Sequence, residues 1–389
     1  MERIKVLSLF SGIGAFEKAL TNIGIEYDLI GFSEIDKYAA KSYCAVHNIE
    51  DTLNLGDITK INIENLPKDI DLISHGSPCQ DYSVAGNNEG GDKGSGTRSS
   101  LMWNTVEIVR HCGPKYIIWE NVKNVLSKKH IHNFNKYISD LDDMGYTSYY
   151  EVLNAKDYGV PQNRERIFVI SIRKDLNQTF TFPKGFKLNL RLKDVLEKEV
   201  EEKYYLSQEI QDRFLQFSKD RLNNKDLEVV GTTAPNPYDK DGNIIYDKCT
   251  SAWVYNPNKC ISTLAARDYK QPKQIIEVKP IRLGGVFDDY KGRHQAGSIW
   301  DKDQISPTLD TMQGGWRQPL ITETSEEFNQ FKIRKLTPLE CWKLMGFSNA
   351  DFYKAKSVPT SNTQLYKQAG NSIVVPVLES IFHNLLKIV

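Results

Sequence analysis

This sequence predicts an α/β fold: a mixed, mostly parallel sheet with helices on both faces, plus a smaller, irregular, mainly β domain. Three observations predict it. Through the first 188 residues, short apolar runs alternate with helical patterns, the rhythm of strands joined by crossover helices. Near Phe182-Pro183-Lys184-Gly185 that rhythm stops, and from Asn189 to about Glu327 the chain is richer in Asn, Asp, Lys, Pro and Gly, with short strands and long connections. From Ile333 the pattern turns helical again. The expected division is residues 1–188 as a catalytic, ligand-binding domain, 189–362 as a second domain with a hinge, and 363–389 as a segment returning to the first.

In chain order, Ile4 to Phe10, Leu29 to Phe32, Leu72 to Ser74, Tyr116 to Trp119 and Arg166 to Ile172 read as strands, with a further short strand expected just before Gly56. Between them, Ala15 to Asn22, Lys37 to His47, Leu101 to Cys112 and Ile131 to Met144 carry helical spacing. Thr337-Pro338-Leu339-Glu340 offers an N-cap, a proline at the first helical position and an acidic first turn. Ser372 to Val389 is apolar enough to dock as a helix on the first domain, which would then be built from both ends of the chain. Inside the central region, Cys260-Ile261-Ser262-Thr263-Leu264 before Asp268 to Pro272 is echoed by Ile305-Ser306-Pro307-Thr308-Leu309 before Gly314 to Pro319. Two copies are too few for a solenoid. Two similar hairpins and a paired recognition surface both fit them.

The 389 residues suffice for a large core and two domains. Hydrophobic residues at 40% and charged residues at 26% are an ordinary globular balance, which argues against disorder. Fifty basic residues match fifty acidic ones, so net charge gives no sign of a polyanionic partner, although local patches rather than the sum set such binding. Six cysteines, Cys44, Cys79, Cys112, Cys249, Cys260 and Cys341, show no CxxC spacing, which speaks against a zinc site and a disulfide framework. Met1-Glu2-Arg3-Ile4-Lys5 runs straight into a strand without a signal peptide, and no apolar run reaches membrane-spanning length. A soluble, cytoplasmic protein is expected, with no membrane partner.

Two turns carry the chemistry. Phe10-Ser11-Gly12-Ile13-Gly14-Ala15-Phe16 places a Gly-x-Gly turn between a strand and a helix, where backbone can approach a ligand closely. About twenty residues on, Ser33-Glu34-Ile35-Asp36 puts a carboxylate where a nucleotide ribose would lie. The third glycine that would admit a pyrophosphate is missing, with Phe16 near its place. A nucleoside cofactor without phosphates, such as S-adenosylmethionine, is the better fit. Asp57 adds an acid suited to an adenine amino group. In His75-Gly76-Ser77-Pro78-Cys79-Gln80, a thiol sits at the carboxyl end of a strand, where open α/β sheets do their chemistry, under a Gly-, Asn- and Ser-rich segment from Asp81 to Ser99. Alone, Cys79 reads more readily as a small buried hydrophobe than as a nucleophile, as most free cysteines do. Glu120, in Trp119-Glu120-Asn121-Val122, is a candidate acid or a surface glutamate. Arg164 and Arg166, at alternate positions, point to one side of an extended segment: toward a pocket or toward solvent.

The order of these motifs resembles the cytosine-C5 DNA methyltransferases over nearly the whole chain. Leu9-Phe10-Ser11-Gly12-Ile13-Gly14 matches the cofactor loop, Gly76-Ser77-Pro78-Cys79-Gln80 the nucleophile loop, and Glu120-Asn121-Val122 the Glu-Asn-Val triplet. Gln162-Asn163-Arg164-Glu165-Arg166 matches the Gln-x-Arg-x-Arg run, and Arg334 to Cys341 and Gln368-Ala369-Gly370-Asn371-Ser372 the last two motifs. The resemblance implies the Rossmann-like fold of S-adenosylmethionine-dependent methyltransferases, with a target-recognition region in the centre.

It also implies a mechanism. Cys79 adds as thiolate to C6 of cytosine. Protonated Glu120 donates to N3, Arg166 holds O2, and Arg164 supports the pocket. C5 then takes the cofactor methyl, loses its proton (to water, the reasonable acceptor) and expels Cys79. Phe10, Gly12, Gly14, Glu34, Asp57, Pro78 and Asn371 are the cofactor-binding candidates; no metal is required. The partner is double-stranded DNA with its target base flipped out, contacted through Gln80, Ser83, Lys93, Arg98, Arg267 and Arg317. Lys270, Gln271, Arg282, Arg293, Gln295 and Gln318 are further candidates in the central region. Gly86, Gly90, Gly91, Gly94 and Gly96 make Asp81 to Ser99 a plausible lid. The implied enzyme is a monomer, nucleoid-associated through DNA, with or without a separately acting restriction endonuclease. A tRNA methyltransferase, a non-enzymatic descendant and a dinucleotide oxidoreductase are the alternatives. Intact Cys79 and Glu120 argue against the second, and the missing glycine against the third.

Overall fold

Six strands make the main sheet of the computed structural model, which describes residues 3–82, 90–209, 212, 229–232, 239, 253–257, 259–264, 266, 272–277, 282–285, 298–301, 320–322 and 332–387. They are β1 (Ile4–Leu9), β2 (Tyr27–Ser33), β3 (Leu72–His75), β4 (Tyr116–Val122), β5 (Tyr146–Asn154) and, after the two-residue β6 (Gln162–Asn163), β7 (Glu165–Arg173). The order is β2-β1-β3-β4-β7-β5. The first four strands are mutually parallel, while β7 runs antiparallel to both β4 and β5. A mixed, mostly parallel sheet is what the alternation predicted.

Two local expectations are corrected. β5, absent from the sequence reading, is a nine-residue strand beside β7. It lies at the sheet edge with much of its length exposed, so its apolar signal is diluted by Thr147, Ser148 and Glu151. The short strand expected before Gly56 is instead a single parallel bridge between Phe32 and Asn54, flanked by 3-10 turns at Asp51–Leu53 and Ile58–Lys60. Gly56, at φ +67, ends the extended run before a ladder can form.

Helices α1 (Ala15–Asn22), α2 (Lys37–His47), α3 (Met102–Cys112) and α4 (Ile131–Asp143) follow their strands as the spacing predicts. Asp36 caps α2, its carboxylate accepting from Tyr38 N at 2.9 Å and Ala39 N at 3.3 Å. One sheet face, with Leu7, Leu9, Ile73, Ile117, Trp119 and Val169, forms a core with Trp103, Val106 and Val109 of α3 and Phe134, Tyr137 and Leu141 of α4. Each such side chain contributes roughly 1.5–3 kcal/mol on burial, which holds the loops at the strand ends to a rigid base.

Four more helices close the chain: α5 (Pro338–Lys343), α6 (Asn349–Ser357), α7 (Asn362–Asn371) and α8 (Val375–Leu385). α8 packs on α1, and α2 packs on α6 and α7. The chain forms two compact units. One comprises Met1–Leu196, Cys260–Lys270 and Pro338–Val389; the other comprises Glu197–Lys259 and Gln271–Thr337. Residues 338–362, grouped with the central region in the sequence reading, thus cluster with the first unit, because Leu339, Trp342, Phe347 and Phe352 bury their side chains there. So do residues 260–270, whose Ile261–Ser262 strand, β10, pairs in parallel with β6.

The second unit is β-rich. β8 (Val229–Thr232), β9 (Trp253–Tyr255), β11 (Gln274–Glu277) and β15 (Lys332–Lys335) form a sheet in the order β15-β11-β9-β8. Val254, Ile276 and Ile333, with Leu206 against them, are its core. A three-stranded sheet joins β12 (Arg282–Gly285), β13 (Ser298–Asp301) and β14 (Leu320–Thr322). Among the described residues, no helix is long and apolar enough to cross a membrane.

Candidate active site

Sheet register brings the candidate residues to one edge. Leu9 pairs with Ser33 on one side and His75 on the other, and His75 pairs with Trp119. The next residue on each segment is therefore Phe10, Glu34, Gly76 or Glu120, four neighbours along the carboxyl ends of parallel strands. With β1 between β2 and β3, the strand order reverses here, which makes a crevice for ligands.

The cofactor candidates occupy the β1–β2 part of this edge. Phe10 takes φ +53, a left-handed conformation that a bulky residue rarely adopts and that marks a constrained turn. Gly14, at φ +80, is required by packing: a Cβ would fall 2.1 Å from His47 Nε2. Gly12, at φ +57, has the opposite surroundings, with nothing within 4 Å of where its Cβ would be. The glycine that faces open space lies beside Glu34, whose Oε2 accepts from Gly12 N at 2.9 Å and Oε1 from Asp36 N at 2.7 Å. Burial pushes the Glu34 carboxyl above its usual range, and the two backbone N–H groups pull back the other way. Asp57 keeps its carboxyl below the usual range by accepting from Thr59 N and Oγ1. Asn371 is exposed at the end of α7.

This donor set fits S-adenosylmethionine. The open space over Gly12 admits a ligand against backbone, a fixed carboxylate can accept ribose hydroxyls, and among the described residues at this edge no cluster of cations calls for a phosphate. One further candidate, which the sequence reading did not single out, is Ile35, 74% exposed between Glu34 and Asp36. An isoleucine between two acids after a strand end was the available signal, and an exposed apolar plate there suits a purine face.

Nucleophile and acid occupy the β3–β4 part. Cys79 is a free, half-buried thiol, and Pro78 before it is half-buried too. Burial raises the Cys79 pKa; Arg166 and Arg164 oppose that and Glu120 adds to it, so all four groups lie within one electrostatic neighbourhood. Glu120 is 8% exposed. Its carboxyl is raised, first by burial, with Arg166 and then Arg164 opposing. Arg166 Nε lies 3.2 Å from Glu120 Oε1, a charge contact whose angle falls short of a hydrogen bond. Antiparallel register explains the pairing: Arg166 faces Val122 across the ladder, and Glu120 is the diagonal neighbour on the same face.

The two arginines differ. Arg164 is buried and donates from Nη1 to Leu264 O and from Nη2 to Ser372 O, each at 2.8 Å. It ties the strand end to the segment before α8 and to the short chain beside β10. Arg166 stays partly open toward the edge. Gln162, named in the sequence only as the first residue of the Gln-x-Arg-x-Arg run, is fully buried, donating to Leu344 O at 2.7 Å and accepting from Leu264 N at 3.0 Å. Inward Gln162, Arg164 and Arg166 alternate with exposed Asn163 and Glu165.

The DNA-contact candidates are less gathered. Gln80 and Arg98 meet, Arg98 Nη1 donating to Gln80 Oε1 at 2.9 Å. Lys93 pairs with Glu107 of α3 at 3.1 Å. The segment bearing them is latched at its base: Asp81 and Ser99 exchange two hydrogen bonds, and Trp103 Nε1 donates to Gly91 O at 2.8 Å. Ser83, Gly86, Arg267, Lys270, Gln271, Arg293, Gln295, Arg317 and Gln318 lie outside the described residues, as does most of the internal echo; of Arg282 only the backbone, in β12, is described.

Residues 4–387 match the family described as C-5 cytosine-specific DNA methylase. The chain is 36% identical over 435 residues to the orphan methyltransferase M.SPRI of Bacillus phage SPR, covering 99% of this chain and 98% of that one. It is 32% identical over 388 residues to the type II methyltransferase M.HhaI of Haemophilus parahaemolyticus, covering 98% and 94%. In fold it is similar to the crystal structure of the S. pombe Dnmt2 methyltransferase, with a TM-score of 0.60 at 17% identity over 99% of both chains.

Proposed function

The chain belongs to the C-5 cytosine-specific DNA methylase family, and from that premise we propose that Cys79, Glu120, Arg164 and Arg166 carry methylation of cytosine C5 in DNA. The observation that supports this most directly is the Glu120–Arg166 contact of 3.2 Å at the strand edge that also presents Cys79. C5 of cytosine is a weak nucleophile until a group adds at C6. The Cys79 thiolate forms that C6–S bond, and the electron pair displaced from the C5–C6 double bond moves toward N3, where protonated Glu120 donates. Burial favours the protonated Glu120 that this step needs. Arg166, fixed beside the acid, is placed to hold the base O2, while Arg164 keeps the strand end and Ser372 in register. After C5 is alkylated, its proton leaves to water, the C6–S bond breaks as the C5–C6 double bond re-forms, the proton on N3 returns to Glu120, and Cys79 regains its electron pair.

The cofactor proposed is S-adenosylmethionine, held by Phe10, Gly12, Gly14, Pro78 and Asn371, with Glu34 toward the ribose, Asp57 toward the adenine amino group and Ile35 against the purine face. When bound, it supplies the methyl group, activated on a sulfonium. The substrate proposed is double-stranded DNA with its cytosine flipped out, read by a monomer whose second unit supplies sequence recognition. Relatives named as orphan phage and type II methyltransferases support a modification role, with or without an endonuclease; the cytoplasm, where the DNA substrate lies, is the location proposed.

Labelled methyl transfer to genomic DNA and to total tRNA, with Cys79→Ser in parallel and bisulfite sequencing of the product, tests this. The expected result is 5-methylcytosine at one short DNA sequence, lost in the variant. Label in tRNA alone, or label that persists in Cys79→Ser, overturns the assignment.

A further inference from the structure

Ser77, two residues before the nucleophile, is buried and is held by side chains on either side of Glu120. Trp119 Nε1 donates to Ser77 Oγ at 2.9 Å, and Asn121 Nδ2 reaches Ser77 O at 3.1 Å. The indole is itself fixed from below. His75, fully buried at the end of β3, lies parallel to Trp119 with ring centroids 6.0 Å apart and an interplanar angle of 10°. Its Nε2 is 3.0 Å from Tyr137 OH, and Tyr137 also packs on Trp119 at 4.6 Å. Burial holds the imidazole neutral, with its pKa lowered to about 3, so the stack keeps one charge state across the working range.

These contacts place the carrier of the thiol and the carrier of the acid under a common constraint. Glu120 has Trp119 before it and Asn121 after it, and both grip the residue from which Pro78-Cys79 departs. We propose that Trp119 and Ser77 are positioning residues for the transfer reaction: the indole–hydroxyl bond, braced by His75 and Tyr137, sets the distance between Cys79 and Glu120. The proposal rests on the functional reading above. The bond is directional and shielded from water, and it holds the side of the loop that enters Cys79 while Arg98–Gln80 and Asp81–Ser99 hold the side that leaves it, so small displacements here act directly on attack geometry.

Trp119→Phe removes the N–H and keeps an aromatic ring in the stack; Ser77→Ala removes the acceptor and little volume. Two readouts are needed. In wild type and in both variants, hydrogen exchange of the Cys79 and Gln80 amides is followed by mass spectrometry with the protein alone. Single-turnover formation of the Cys79 adduct is then measured on DNA containing 5-fluorocytosine, whose fluorine blocks the closing elimination. The expected outcome is faster exchange at Cys79 and Gln80 with β3 and β4 unchanged, and adduct formation slowed by about ten-fold or more. KM for DNA and cofactor affinity stay within about two-fold. Ser77→Ala also loses the 3.3 Å bond from Asn121 Nδ2 to Ser77 Oγ, so the double variant is no slower than Ser77→Ala, which already lacks the bond that Trp119→Phe removes. Unchanged exchange at Cys79 in folded Trp119→Phe overturns the proposal whatever the activity, as does a fall in cofactor affinity that matches the fall in rate. Faster exchange together with a wild type that forms no adduct on DNA upholds the positioning role and overturns the functional reading instead.

Discussion

Glu34 and Glu120 stand at the same edge of one sheet, each one residue beyond a register-aligned pair, and burial raises both carboxyls. Their partners differ. Both oxygens of Glu34 are engaged by backbone N–H groups of Gly12 and Asp36. Those donors cannot move and can only donate, so they favour the charged acceptor and fix its direction. Among the described residues no backbone N–H donates to Glu120; its charge partner is the Arg166 side chain at 3.2 Å, without hydrogen-bond alignment. Similar desolvation thus leaves one glutamate as a rigid acceptor for neutral hydroxyls and the other able to gain and release a proton. Function follows from what holds the oxygens, more than from residue type or depth.

Exchanging the two carboxyls for amides breaks this comparison most sharply. Glu120→Gln is expected to lower kcat by about 10²–10⁴-fold, the usual range for a lost proton donor, with cofactor affinity unchanged. Glu34→Gln is expected to weaken cofactor binding by roughly 10–100-fold, the equivalent of one charged hydrogen bond, and to leave kcat near wild type at saturation. Steady-state kinetics and calorimetric titration of both variants distinguish the roles; similar losses in both parameters for both variants would erase the distinction drawn here.

The arginine offers a finer test. Arg166 holds both the Cys79 and the Glu120 pKa down against burial. Without its charge both rise, so in Arg166→Gln the limb on which kcat/KM increases with pH should move to higher pH. A pH profile from about 6 to 10 reads this directly. A limb that stays in place would mean that the guanidinium contributes geometry alone.

The smallest effect concerns a third glutamate. Glu17 of α1 is fully buried, its carboxyl raised by burial; the Ser8 and Tyr43 hydroxyls lie near it, but among the described residues neither carboxyl oxygen is in a hydrogen bond, and its titratable neighbours are Tyr27 and Tyr43. A raised folded-state pKa means that the native chain binds more protons than the unfolded one, so stability falls as pH climbs from about 4.3, the unfolded value, through the folded one. Glu17→Gln should remove that slope and raise the urea midpoint more at about pH 8 than at about pH 5. An equal gain at both values would assign the effect to packing.

Much of this was legible along the chain. The alternation of apolar runs located β1 to β4, β7 and the first four helices, because a parallel sheet buried on both faces needs continuous apolar strands. The turns at Gly12 and Cys79, the acids at Glu34 and Glu120 and the alternate arginines were visible because each depends on local sequence: a strand end, a tight turn, a period of two. β5 was not visible, since only Tyr146 and Leu153 of its nine residues are buried and polar Thr147, Ser148 and Glu151 interrupt its apolar signal. Ile35 was read only as part of a strand end, and its exposure is knowable only once the chain around it is placed.

By itself, the sequence determined the sheet, the set of reactive groups and their order, since backbone periodicity and side-chain chemistry are properties of neighbours in the chain. Tertiary structure alone decided which groups meet. It set Glu120 diagonal to Arg166 through antiparallel register, tied Arg164 to Leu264 and Ser372, and stacked His75 under the tryptophan that holds Ser77. Those partners come from segments far apart in the chain. Their distances, and with them each group's hold on its proton, are set by packing, which local sequence does not encode.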